Sequence, residues 1–226
     1  EYQLPVNNGT NSLHGGIHGF NEKVWTVKSS SETELVLELL SVDGEEGYPG
    51  NLTVTCTYSL SDDNEVKIHY EATTDKPTII ALTNHSYFNL KGAGNGTIKN
   101  HIMQLNADFY TLLDDSFALS GEISKVEGTP FDFREPTVVG DRIDDEVFVP
   151  GWGIDNNWCI RRAQAGDCVL AGTVYEPESG RKMEVFTTQP GVQVYTGNWI
   201  DKVTGKEGKI YDRQDAICLE TQSIPN

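Results

Sequence analysis

The sequence predicts an all-β, mostly antiparallel fold, and three observations carry that prediction. Residues 51–60, NLTVTCTYSL, alternate strictly between apolar and polar side chains. A second alternating run follows after a short polar turn, as a hairpin requires. No stretch sustains a helical apolar stripe for more than three turns.

Taken in order, a run at 34–40 is the first strand candidate. In 51–60, Leu52, Val54, Cys56, Tyr58 and Leu60 face one way and the threonines and Ser59 the other. That period of two belongs to a half-buried strand. SDDNE then turns the chain, and EVKIHYEAT puts Val66, Ile68, Tyr70 and Ala72 on one face. Residues 81–90, ALTNHSYFNL, read as a strand in which Ala81, Leu82, Tyr87, Phe88 and Leu90 are buried around His85. Further runs at 101–109, 168–175 and 182–189 are bounded by Gly, Asp, Asn or Pro. The segment 110–155 reads as long and irregular, and such loops usually carry function. Without a low-complexity linker or a repeat, a single domain over 1–226 is expected.

Composition narrows the partners. The 226 residues are 37% hydrophobic and 9% aromatic, enough for a core. Seventeen Lys and Arg against 34 Asp and Glu leave a net charge of −17, which repels phosphate backbones and anionic lipid. Neither nucleic acid nor membrane is expected as a partner. No run approaches the roughly 18 apolar residues of a membrane span, and EYQLPVNNGTNSLHGG lacks the marks of a signal peptide. Cys56, Cys159, Cys168 and Cys218 are scattered without a CxxC pair, so free buried thiols are expected rather than zinc or a disulfide scaffold. A reducing compartment, the cytoplasm, is the expectation from that chemistry, and the compartment stays open. Sequons at Asn8, Asn51, Asn84 and Asn95 would also permit secretion.

Four stretches offer chemistry. NSLHGGIHGF places His14 before two glycines that allow positive φ or a close backbone approach. The His14–His18 spacing suits metal ligands only on a helix, which Gly15 and Gly16 oppose. HGG also occurs in esterase oxyanion loops, but no G-x-S-x-G elbow is present. GWGIDNNWCI sets Asp155 between Trp152 and Trp158; rings beside a carboxylate suit a sugar, and a side-chain-capped turn is the plain alternative. TTQPGVQVYTGNW is a loop rich in amides and aromatics, including Gln189, Gln193, Tyr195, Asn198 and Trp199. AICLETQSIPN puts Glu220 at the end of a buried run, where a carboxylate costs energy unless it is paired or functional. On these residues alone His85 is either a core histidine or a proton carrier.

NSLHGGIHGFNEKVW, TNHSYFNLKG, GTPFDFREP, GWGIDNNW, TTQPGVQVYTGN and ICLETQ, in that order, resemble the aldose 1-epimerase (galactose mutarotase) family. The resemblance runs from residue 7 to residue 222. It implies a large antiparallel β-sandwich, no cofactor, no metal, and a monosaccharide such as glucose or galactose as substrate. It implies His85 as general acid at the ring oxygen, Glu220 as general base, and His14, Asp155 and Gln193 as sugar ligands. Two departures stand out. The family's G-R-x-x-N-R-type motif and its last strands have no counterpart here, so an incomplete sandwich at both ends is expected. Asn156 stands where many members carry histidine, an exchange expected to touch sugar preference. The competing readings are a sugar-binding protein without turnover, a glycosidase using Asp155 and Glu220, and a sugar-phosphate epimerase using Arg161 and Arg162. Oligomeric state is left open by the sequence.

Overall fold

The computed structural model describes residues 1–114 and 116–224. Among these the regular elements are fifteen strands and four short 3₁₀ turns. Contacts divide the chain into two units, Glu1–Leu82 and Thr83–Asn226.

The first unit is built on an antiparallel meander of β1 (Thr26–Ser30), β2 (Glu34–Ser41), β3 (Leu52–Leu60) and β4 (Val66–Thr74), in that order. β3 behaves as its alternation predicts: Leu52, Val54 and Cys56 are buried together with Leu39 of β2. Leu39 stands opposite Val54 and Leu37 opposite Cys56. The predicted hairpin into β4 is present, its turn closed by Ser61 N–H donating to the Glu65 carbonyl at 3.0 Å. Of the four residues on one face of β4, Ile68 and Tyr70 are half-buried and Val66 and Ala72 exposed.

The second unit holds two larger sheets. One runs β11 (Arg181–Thr187), β10 (Val169–Glu176), β5 (Ile102–Leu105), β8 (Thr137–Val138). The other runs β15 (Cys218–Gln222), β12 (Gly191–Tyr195), β9 (Asp155–Ile160), β6 (Ala107–Leu113), β7 (Leu119–Lys125). Both sheets contribute to one buried cluster: Met103, Leu105, Ala171 and Val174 from the first, Ala107, Trp158, Val192, Val194 and Leu219 from the second. That is a β-sandwich, with every strand pair antiparallel. A small ribbon of β13 (Val203–Thr204) and β14 (Ile210–Tyr211) stands apart from both.

Several sequence expectations need correction. The run 101–109 is two strands, broken at Asn106, whose side chain instead donates to the Leu170 carbonyl at 3.1 Å. The segment 110–155 is not one irregular loop, because β6 continues to Leu113 and pairs with β7. Residues 81–90 are not a strand: Phe88 makes a single bridge to Ile217, and Ala81, Tyr87 and Phe88 are exposed. With ladder hydrogen bonds at one residue only, most of that segment is free to present its rings outward. TTQPGVQVYTGNW is not a loop throughout, since its middle is β12. All four cysteines are free as expected, but only Cys56 and Cys218 are buried, Cys159 being half-buried and Cys168 exposed.

Candidate active site

Three neighbouring strands make the floor. In β15, Cys218 and Glu220 share one face because side chains alternate along a strand, while Leu219 and, just before the strand, Ile217 join the core cluster. Across the ladder, Tyr195 pairs with both Cys218 and Asp155, and Gln193 pairs with both Glu220 and Asn157. The outer face is therefore a grid: Asp155, Tyr195 and Cys218 in one row, Asn157, Gln193 and Glu220 in the next. Directly opposed Cβ atoms in such ladders stand about 4.5–5.5 Å apart. One diagonal of the grid is closed by a hydrogen bond, the Gln193 amide donating to Asp155 Oδ1 at 2.7 Å.

The entry to β9 is held tightly. Ile154 N–H donates to Thr196 Oγ1 at 2.9 Å, and the Asn198 amide donates to the Ile154 carbonyl at 3.0 Å. Gly153 precedes this clamp at φ 145°, and a Cβ there would run into the Asn198 and Thr196 side chains. The glycine is what lets Asp155 start its strand where it does.

His85 reaches this floor from outside the sheet. Phe88 N–H donates to the Ile217 carbonyl at 2.9 Å, and Ile217 N–H returns a bond to Phe88 at 2.8 Å. This bridge ties the histidine segment to the residue just before β15. Further along, Leu90 N–H donates to His101 Nε2 at 3.0 Å, and the Leu90 carbonyl accepts from Ser179 and Arg181. So anchored, His85 places Nε2 3.3 Å from Glu220 Oε1. Its ring stacks on Tyr87 at 5.0 Å and meets Tyr195 edge-on at 5.8 Å. The Tyr195 hydroxyl is in turn fixed by accepting from Trp199 N–H at 2.9 Å.

Electrostatics set the proton inventory. Burial, reinforced by the Asp155 charge, pushes the Glu220 carboxyl up to about 8. Burial lowers the His85 imidazole below its ordinary value. Both shifts work against an ion pair and favour the uncharged forms, a protonated carboxyl beside a neutral imidazole, with one proton between two groups. Burial, with the neighbouring acidic groups, also lifts Tyr195 and Cys218. Among the described residues no lysine or arginine figures among the charges acting on these groups.

Four of the five sequence candidates, His85, Asp155, Gln193 and Glu220, therefore converge. His14 lies in the first unit, on an exposed turn where Leu13 N–H donates to Asn7 Oδ1 at 2.7 Å. The positive φ expected near it is present at Gly15 and Gly16, and His14 itself sits at φ 54°. Trp158 does not cover a sugar. It is fully buried, its indole donating to the Phe131 carbonyl at 3.0 Å. Asn156 shares the core face with Val194, its register partner, and is buried, so it does not face the grid. Sequence reasoning missed Tyr87 and Cys218 as neighbours of the pair; no local pattern marks either.

With this geometry in view, similarity to known proteins is informative. The family model for aldose 1-epimerase matches residues 1–226. Galactose mutarotase of Sus scrofa is 43% identical over 227 residues, covering 100% of this chain and 64% of the relative. Aldose 1-epimerase of Haemophilus influenzae is 37% identical, covering 99% of this chain and 65% of the relative. Among solved structures, an aldose epimerase homologue from C. elegans superposes with a TM-score of 0.88 at 28% identity, covering 98% of this chain and 66% of that one. Galactose 1-epimerase from Lactobacillus acidophilus gives 0.83 at 30% identity, covering 99% and 65%. The chain thus spans a little under two thirds of the length of the curated relatives it matches.

Proposed function

The chain belongs to the aldose 1-epimerase family, and we propose that it interconverts the α and β anomers of a free hexose such as glucose or galactose. We further propose that residues 1–226 form one family domain, a reading supported by the extent of the family match. The observation that carries the activity is the 3.3 Å approach of His85 Nε2 to Glu220 Oε1 on a buried polar floor.

Anomer exchange opens a hemiacetal, rotates the aldehyde end about C1–C2, and recloses the ring on the other face. Opening removes the proton of the C1 hydroxyl and adds one to the ring oxygen. Both oxygens are bonded to the same carbon, so acid and base must converge on one small region, as His85 and Glu220 do. In the productive tautomer Glu220 is the carboxylate that accepts the hydroxyl proton and His85 the imidazolium that donates to the ring oxygen. Closure on the opposite face returns both protons, so nothing is consumed. Each transfer of this kind is worth typically ~10²–10⁴-fold. Asp155 and Gln193, already hydrogen-bonded to each other, present acceptor and donor to the sugar hydroxyls.

Turnover is favoured over binding alone by the price of the arrangement. A carboxyl buried beside a second carboxylate and raised to about 8 weakens a site that only has to hold sugar, whereas proton transfer near neutral pH needs it. The test is polarimetry on freshly dissolved α-D-glucose and α-D-galactose. A rate proportional to protein concentration, above spontaneous mutarotation, is the expected result; equilibration no faster than buffer overturns the assignment.

A further inference from the structure

We propose that His85 Nε2, Cys218 Sγ and a Glu220 carboxylate oxygen form a binding site for a borderline-soft divalent cation, with zinc as the type, and that its occupation shuts the sugar site. The three ligand atoms lie within 4.8 Å of one another. His85 Nε2 and Glu220 Oε1 are already 3.3 Å apart. Bonds of about 2.0–2.3 Å to nitrogen, oxygen and sulfur place the donors of a tetrahedral zinc ion roughly 3.3–3.6 Å from each other. Small side-chain movements close the remaining gap.

The donors are also well anchored. Cys218 and Glu220 project from the same face of β15, two residues apart. His85 is tied to the residue preceding that strand by the reciprocal Phe88–Ile217 bonds. One nitrogen, one sulfur and one oxygen suit zinc far better than magnesium or calcium, which prefer oxygen alone. Three protein ligands leave a fourth position for water, the pattern of open rather than closed zinc sites. The surroundings favour a cation: Asp155 adds a second negative group, and the chain as a whole carries −17. On binding, the thiol and carboxyl protons leave to solvent, and the cation takes their place on sulfur and oxygen.

Such an ion would not assist the reaction described above. It would occupy the imidazole lone pair and the carboxylate oxygen that move the protons, so it inhibits. The inhibition arm of this inference rests on the proposed mutarotase activity; the binding arm does not.

The experiment uses metal-free protein and two probes. Zn²⁺ should bind by calorimetry with one ion per chain, and Co²⁺ should give a thiolate-to-metal charge-transfer band with the intense visible bands of a tetrahedral centre. In the activity arm, Zn²⁺ should inhibit competitively with sugar, and a chelator should restore the rate without ever lowering it. Measured against its own metal-free rate, Cys218→Ser should lose the Co²⁺ thiolate band and need roughly tenfold or more Zn²⁺ for half inhibition than the parent. Absence of the thiolate band in the parent, or equal Zn²⁺ inhibition of parent and Cys218→Ser, overturns the site. If Cys218→Ser does not fold, the parent's Co²⁺ spectrum still decides. A chain that binds Co²⁺ through sulfur but shows no mutarotation refutes the proposed function and leaves the metal site standing.

Discussion

The proton shared by His85 and Glu220 makes a quantitative prediction for the pH dependence of kcat/KM. Two groups 3.3 Å apart titrate as a unit. Burial holds the imidazole below its ordinary value of 6.5 and, with Asp155, lifts the carboxyl to about 8. Between these limits the pair carries one proton, which is what anomer exchange needs. The productive tautomer is a fixed fraction of that one-proton form, so the rate follows the form itself. The profile is therefore a plateau falling on the acid side at a pH below 6.5 and on the alkaline side above about 8. One unit beyond a single-proton limb the rate is down about tenfold, so pH 9 should show about a tenth of the plateau. Glu220→Gln should lower the plateau by about 10²–10⁴ and remove the alkaline limb, because the amide has no proton to lose. The assay is initial-rate polarimetry at sugar concentrations well below KM, corrected for spontaneous mutarotation at each pH. Retention of more than about a tenth of the activity in Glu220→Gln, or an alkaline limb that survives it, refutes the role. Stability gives an independent check of sign. Because folding raises the Glu220 pKa, its favourable contribution is complete below the ordinary carboxylate range and is lost as pH rises to about 8. Relative to parent, Glu220→Gln should thus melt higher at pH 9 than at pH 4.

Three more perturbations probe the rest of the site. His85→Asn should depress kcat far more than it raises KM, since its proton moves only in the transition state; a folded variant with the parent kcat makes His85 a packing residue. Asp155→Asn should raise KM by roughly ten- to a hundredfold through loss of a charge-assisted hydrogen bond, and should move the alkaline limb below about 8, because the charge helping to lift Glu220 is gone. An unmoved limb means that Glu220 does not feel Asp155. Gly153→Ala should cost about 1–3 kcal/mol, since the position has φ 145° and the added methyl meets Asn198 and Thr196. Differential scanning calorimetry should then show Tm lower by several degrees with KM raised, and an unchanged Tm would mean that the clamp yields easily.

What the sequence made legible follows from which faces are wet. The hairpin of β3 and β4 shows as alternation because the sheet of the first unit buries Leu52, Val54 and Cys56 and leaves the threonines of β3 only partly covered. The strands of the site do not read this way. In β12 the core side is Val192 and Val194, but the other face carries Gln193 and Tyr195, which are buried or half-buried as well. Amides and aromatics interleaved with valine look like a loop to any pattern that equates polar with exposed. Glu220 is the sharper case, because it lies in the middle of β15 at 4% exposure, not at the end of a strand. The residue types on the site's face were legible, and the family motifs pointed to four of them together. The distance from His85 to Glu220 was not, because it depends on the Phe88–Ile217 bridge, which joins segments about 130 residues apart through backbone atoms that every sequence shares. That bridge also brings Cys218 beside the pair. A cysteine at position 218 and a histidine at position 85 have no spacing that suggests a common ligand, and only the register of β15 makes them neighbours. Chemistry carried by backbone pairing rather than by local motif is therefore where this molecule holds what its sequence conceals.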